Sequence, residues 1–99
     1  MQEVLSGNLS GTAGSSTPLD ISDYTRDEFT IGIEGTWGGG TMAVEVEATT
    51  GVYVPLQDNS GNNVALTING AMFFNVFGGN IRITLSGGTA ANLNYHLFH

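Results

Sequence analysis

The feature that most constrains this chain is a strict alternation of apolar and polar residues within short segments. In residues 41–48 apolar side chains occupy every second position, and Glu45 and Glu47 fall between them on the opposite face. The same period of two recurs in residues 29–34, 81–85 and 93–98. Successive side chains of a β-strand point to opposite faces of its sheet, whereas a helix shows a period near 3.6. The chain is therefore predicted to be all-β, with the apolar faces of residues 42–46 and 81–85 in the core.

Glycine-rich turns separate these segments at regular intervals. Fifteen of the 99 residues are glycine and only two are proline. The turn clusters lie at residues 11–16, 38–40, 58–63, 78–79 and 86–88. The pair Asn69-Gly70 is a strong hairpin signal, which predicts that the strands on either side of it pair with each other. Short strands separated in this way predict an antiparallel β-sandwich, jelly-roll-like, with about eight short strands.

A chain of this length forms a single domain, with two parts of different composition. Residues 17–99 are predicted to be the β-sandwich domain. Residues 1–16 are rich in Ser, Gly and Thr and are predicted to be either a flexible N-terminal arm or an edge strand. We expect this segment to become ordered by adding a strand to a partner's sheet, while the sandwich folds without it. The candidate partner-binding residues are its sizeable apolar side chains, Val4, Leu5 and Leu9.

Charge and composition exclude several classes of function. Nine acidic residues against two basic ones leave a formal net charge of −7, which excludes binding to nucleic acid or to an anionic membrane surface. The chain has no cysteine and shows no sequence pattern of nucleophile and base. We therefore expect no enzyme, no catalytic residue and no cofactor. The acidic stretch 20–28 and the loop 58–63 are interpreted as surface loops, because neither spaces its oxygen ligands as a calcium site does, and we expect no metal.

One series of motifs goes beyond generic β structure. Gly38-Gly39-Gly40-Thr41 leads into the strand at 42–46, Val52-Tyr53-Val54-Pro55-Leu56 follows, and Gly78-Gly79-Asn80-Ile81-Arg82 opens a strand that ends in Ser86-Gly87. Over about residues 17 to 98 these motifs resemble those of small β-sandwich virion proteins of tailed bacteriophages, of the head decoration or cement type. The resemblance implies a virion structural protein on the outer capsid surface. Its implied partners are the major capsid protein and further copies of itself, expected as a homotrimer that stabilises the shell, and it implies no active site.

An alternative function is a carbohydrate-binding or adhesin module associated with a tail or fibre. In that interpretation Trp37 and Tyr53 stack on sugar rings, and the loop 58–63 binds the sugar hydroxyls. Aromatic residues at strand ends also occur as ordinary packing, so both interpretations of Trp37 and Tyr53 stay open at this point.

Overall fold

The computed structural model describes residues 2–22, 28–58, 60–76 and 79–99. They form ten β-strands: β1 Glu3–Gly11, β2 Gly14–Ser15, β3 Leu19–Asp20, β4 Glu28–Thr36, β5 Thr41–Thr49, β6 Val52–Pro55, β7 Ala65–Leu66, β8 Gly70–Asn75, β9 Asn80–Ser86 and β10 Ala91–Phe98. Every pairing between these strands is antiparallel. Within the described ranges no helix has the length and apolar character needed to cross a membrane.

The strands form two sheets with jelly-roll topology. Sheet A has the order β1-β10-β4-β8, and sheet B has the order β2-β9-β5-β6. The short strand β3 continues the β2 side of β9, and β7 continues the β6 side of β5, so each sheet has four strand positions. Early strands pair with late ones in nested order: β1 with β10, β2 and β3 with β9, β4 with β8, and β5 with β6 and β7. This nesting defines a jelly roll and confirms the predicted fold class.

The core lies between the inner faces of the two sheets. Five of the six residues predicted to face inward from β5 and β9 are at most 2% exposed, namely Met42, Val44, Ile81, Ile83 and Leu85. The sixth, Val46, is partly buried against the core. Sheet A contributes Ile31, Ile33, Leu93 and Leu97, and the rings of Phe29 and Phe74 stack with centroids 5.8 Å apart. Complete burial of one such side chain stabilises the fold by roughly 1.5–3 kcal/mol. The alternation in the sequence therefore identified the buried face of these strands correctly.

Residues 3–11 form the edge strand of sheet A, one of the two alternatives for the N-terminal segment. Strand β1 pairs with β10 along its length, with a bulge between Glu3 and Leu5. Leu9 is 9% exposed and belongs to the core. Gly7 lies so close under the ring of Tyr95 that a Cβ atom there would be 2.6 Å from the tyrosine oxygen. In the structure this segment therefore packs within its own sheet, and the expectation that residues 17–99 fold without it stays a prediction.

The pair Asn69-Gly70 does not form the predicted hairpin. Strand β7 before it belongs to sheet B and β8 after it belongs to sheet A, so the chain crosses between the sheets here. The Asn69 side-chain oxygen accepts hydrogen bonds from the Gly35 backbone N–H at 3.0 Å and from the Trp37 indole N–H at 2.8 Å. These bonds tie the crossing to the end of β4. The hairpin prediction was wrong because pairing with distant strands outweighed the local turn preference.

Candidate functional site

The outer edge of β1 is the first candidate surface. The apolar side chains predicted to bind a partner lie on the core, with Leu9 inside it and Val4 and Leu5 partly buried against it. The groups of this edge that a partner could bind are therefore its backbone N–H and C=O groups. Gln2 and His99 donate backbone hydrogen bonds to each other's carbonyl oxygens, at 3.0 and 2.8 Å.

That bonded pair shows which backbone groups of β1 face β10 and which face away from the sheet. Antiparallel strands alternate between bonded and non-bonded residue pairs, so every second residue of β10 counted from His99 faces β1. Through the observed register, the β1 residues facing β10 are Leu5, Gly7 and Leu9. The residues between them, Ser6, Asn8 and Ser10, therefore direct their backbone N–H and C=O groups away from the sheet. The Asn8 side chain lies on the outer face of sheet A, where its amide donates to Asn92 at 2.7 Å and to Asn94 at 2.9 Å.

The two aromatic residues of the carbohydrate alternative lie at opposite ends of β5. Trp37 lies in the turn between β4 and β5, packs partly buried against the core and donates its indole N–H to Asn69. Tyr53 pairs with Glu47 near the other end, and its ring lies 4.2 Å from the Arg82 guanidinium carbon. The stretch of β5 between them, from Thr41 to Glu47, spans about 20 Å at roughly 3.3 Å per residue. The structure therefore does not bring Trp37 and Tyr53 together in one stacking platform.

The outer face of sheet B carries a cross-strand network of charged and amide side chains. Arg82 Nε donates to Glu45 Oε1 at 2.8 Å, and the Asn80 amide donates to Glu47 Oε1 at 2.9 Å. The Asn80 bond, with a second bond from the Gly51 backbone N–H, lowers the pKa of Glu47 below its ordinary value of 4.5. These pairs join β9, β5 and the β5–β6 turn, so they stabilise the sheet.

A shallow depression of about 410 Å³ lies beside this network. Its floor consists of small side chains such as Ala43 and Ala65, and the charged groups in its lining are Arg82 and Glu45. Since those two charges pair with each other, the depression offers a ligand no free charged group.

Asp20 and Asp58 each accept local hydrogen bonds. Asp20 Oδ1 accepts from the Ser22 side-chain hydroxyl at 2.7 Å and from its backbone N–H at 2.9 Å, and these bonds lower the pKa of Asp20. The rest of the stretch, residues 23–27, lies outside the described residues. Asp58 Oδ1 accepts backbone N–H bonds from Ser60 at 2.8 Å and Asn62 at 3.0 Å, as in an Asx turn. Within the described ranges no group of three or more His, Asp or Glu side chains is placed to hold a metal ion.

A small cleft of about 210 Å³ lies where this loop meets the edge strand β8. Its lining residues are Asp58, Ser60, Phe73, Phe74 and Asn75. Phe73 points outward and is 59% exposed, while Phe74 is 2% exposed in the core. The side-chain oxygen of Asn75 is buried without a hydrogen-bond partner. The sequence analysis missed Phe73, although the period of two already implies that consecutive phenylalanines in a strand face opposite sides.

No protein-family model, no curated protein and no solved structure matches this chain. The resemblance to phage virion proteins therefore rests on the sequence motifs alone, and the function has to be argued from the surfaces described above.

Proposed function

We propose that this chain is a virion structural protein of the capsid decoration type. In this proposal it binds the major capsid protein on the outer surface of a phage head and stabilises the shell as a homo-oligomer. The observation that carries the proposal is the open backbone edge of β1. The sequence motifs that resemble those of phage decoration proteins indicate which partner binds this edge, namely a capsid protein.

The β1 edge has the properties of a strand-addition surface. At nine residues β1 is the longest strand at an edge of either sheet in the described fold. Natural proteins protect such edges with lysine, proline or bulges. Strand β1 contains neither lysine nor proline, and its bulge lies at one end, before Leu5. Beyond the bulge, the backbone groups of Ser6, Asn8 and Ser10 are therefore available to a partner strand, which binds mainly through main-chain hydrogen bonds.

The charge of the chain and its small size support the same placement. A net charge of −7 favours the outer surface of a head over the DNA-filled interior, where like charges repel. A 99-residue domain has a small core, and association with identical subunits adds stability by mass action. Closed symmetric assemblies are the usual form of such association, and we propose a trimer. Jelly rolls occur in viral capsid domains and also in lectins, so the fold is compatible with this role without selecting it.

The test blocks the β1 edge without disturbing the sheet. In a Ser6→Pro variant the lost N–H is one that faces away from β10, and proline is tolerated at such edge positions. Ser6→Ala is the matched control, because it removes the hydroxyl and keeps the N–H. Each protein is sedimented with empty phage heads, assembled from the major capsid protein that the source genome should encode under this proposal, and its subunit number is measured by sedimentation velocity.

We expect wild type and Ser6→Ala to sediment with the heads and Ser6→Pro to remain in solution, with all three melting at similar temperatures. Full head binding by a folded Ser6→Pro variant would exclude the β1 edge. Failure of the wild-type protein to bind heads at all would reject the decoration role.

A further inference from the structure

We propose that the Tyr95 hydroxyl forms a hydrogen bond with the central side chain of the capsid-protein strand that pairs with β1. This bond selects a partner strand with a small hydroxyl- or amide-bearing residue at that position and apolar residues on either side of it. The inference deepens the proposed function and rests on its central element, strand addition at the β1 edge. The observation behind it is a hydrogen-bonding group that the fold leaves without a partner beside that edge.

The Tyr95 side chain crosses the inner face of sheet A from β10 to the edge strand β1. Tyr95 pairs directly with Gly7, and a Cβ atom at Gly7 would lie 2.6 Å from the tyrosine oxygen and 2.9 Å from the ring carbon that bears it. The hydroxyl therefore occupies the space that a side chain of residue 7 would fill. Because β1 is the outermost strand of sheet A, this end of the ring lies at the border of the sheet.

The Tyr95 hydroxyl has no hydrogen-bond partner in the part of the chain that the structure describes. The residue is 5% exposed, so nearly all of its side chain packs in the core. Its oxygen keeps some accessible surface, and water can therefore reach it in the free protein. A strand added to β1 covers this border and excludes that water. Because a buried hydroxyl without a partner is costly, the added strand has to supply one.

The register of the edge shows which residue of the added strand meets this hydroxyl. Gly7 directs its backbone groups toward β10. In an antiparallel addition it therefore forms a non-bonded pair with the residue opposite, with about 4.5 Å between the Cα atoms. The side chains of such a pair lie on the same face of the sheet. The residue opposite Gly7 thus points to the inner face, where it meets the Tyr95 hydroxyl in place of a side chain of residue 7.

The neighbours of Gly7 on the inner face define the flanking positions of the partner strand. Leu9 lies in the core, and Leu5 is partly buried against it. Cross-strand pairs with these leucines favour apolar side chains two positions to each side of the centre. A phenol hydroxyl both donates and accepts, so serine, threonine or asparagine at the centre satisfies it, whereas valine does not. The inward face of the selected strand is therefore polar at its centre and apolar on both flanks.

The experiment uses two synthetic nine-residue peptides, equal in length to β1. Each has lysine at both ends, serine at the four outward positions and valine two positions from the centre on both sides. The central residue is threonine in one peptide and valine in the other. This order reads the same in both directions, so either orientation of the strand presents the same groups. Binding is measured from the amide signals of the ¹⁵N-labelled full chain, for wild type, Tyr95→Phe, Ser6→Pro and Ser6→Ala.

We expect wild type to bind the threonine peptide at least about fivefold more tightly than the valine peptide, with shifts at the amides of Ser6, Asn8 and Ser10. Tyr95→Phe removes only the hydroxyl, which makes no bond within the described chain, so this variant should melt as wild type does. It should lose or reverse the preference for threonine. Ser6→Pro should bind neither peptide, and the matched control Ser6→Ala should bind both as wild type does.

Equal affinity of wild type for the two peptides would overturn the inference, as would a threonine preference that persists in Tyr95→Phe. The absence of saturable binding by both peptides would overturn it as well. The comparison of the two peptides on wild type decides the matter even where a variant does not fold. Head binding is measured separately, so a protein that sediments with heads and does not distinguish the peptides keeps the decoration role and loses only the Tyr95 inference.

Discussion

Ser16 offers a sharp test of how sheet B is held together. It lies between β2 and β3 and is 7% exposed. At this point β9 has no partner strand on that side in the described fold, and Ser16 bonds to its backbone instead. Its backbone N–H donates to the Ile83 carbonyl at 2.8 Å, and its hydroxyl oxygen accepts the Ile83 N–H, also at 2.8 Å. The side chain thus takes the place of the backbone carbonyl that a continuous strand would supply. Ser16→Ala removes this acceptor and leaves the Ile83 N–H buried and unpaired.

The expected cost of Ser16→Ala follows from that geometry. A buried donor without a partner destabilises a fold by about 1–3 kcal/mol. In a domain of this size each 1 kcal/mol lowers the melting temperature by about 4–8 °C, so we expect a drop of roughly 5–20 °C by calorimetry. Hydrogen exchange at the Ile83 amide should accelerate in parallel. Ser15→Ala, which alters the exposed neighbour, should change the stability by no more than about 0.5 kcal/mol.

Melting of Ser16→Ala within about 1 °C of wild type, with the Ile83 amide still protected, would refute this role of the hydroxyl, because the lost bond should cost several degrees. Ser16→Thr serves as a second check, since it keeps a hydroxyl at the same position. A Thr variant closer to wild type than the Ala variant would assign the effect to the hydroxyl.

Three further predictions concern the two faces of sheet B and its acidic groups. Ile83→Asp places an unpaired carboxylate at a fully buried position and should abolish the circular dichroism spectrum of the folded protein. Glu45→Gln alters the outer face and should change the stability by at most about 1 kcal/mol. A folded Ile83→Asp protein would mean that the register of the sheet is wrong by one residue. Glu47 should titrate below 4.5 by NMR, and Asn80→Ala should raise that pKa. Since its folded pKa is depressed, the contribution of Glu47 to stability should be present above pH 4.5 and be lost as the pH falls through the lowered value. A chelator should leave the melting temperature unchanged, and a rise of several degrees with millimolar calcium would revive the 20–28 stretch as an ion site.

The alternation of residue types was sufficient to predict β4, β5, β9 and β10 and their buried faces. Val44 and Ile83 were assigned to the core from their spacing alone, because a period of two has a direct geometric meaning in a strand. The pairing of the strands was harder to predict. Whether Asn69-Gly70 closes a hairpin depends on which distant strands β7 and β8 pair with, and no local signal contains that information.

In the candidate sites, too, features that depend on neighbouring residues could be predicted from the sequence, and features that depend on distant segments could not. Outward placement of Phe73 follows from its position next to Phe74 in a strand. The unpaired oxygen of Asn75 and the buried hydroxyl of Ser16 depend on contacts with segments remote in the chain, so they require coordinates. The expected partner-binding role of Val4, Leu5 and Leu9 came from local sequence alone, which could not show that Leu9 lies in the core and that Val4 and Leu5 pack against it.

The position of β9 and β10 within the sheets also bears on how the chain folds during synthesis. Strand β9 lies inside sheet B and β10 lies inside sheet A, between β1 and β4. Both are made after the other eight strands, from residue 80 onward. A nascent chain that has reached only β8 holds β1 and β4 without the strand that joins them, and β2, β3 and β5 without β9. At roughly 5–20 residues per second, synthesis from the end of β8 to the end of β10 takes about 1–5 seconds, and during this time the apolar faces of the earlier strands are not covered by complete sheets.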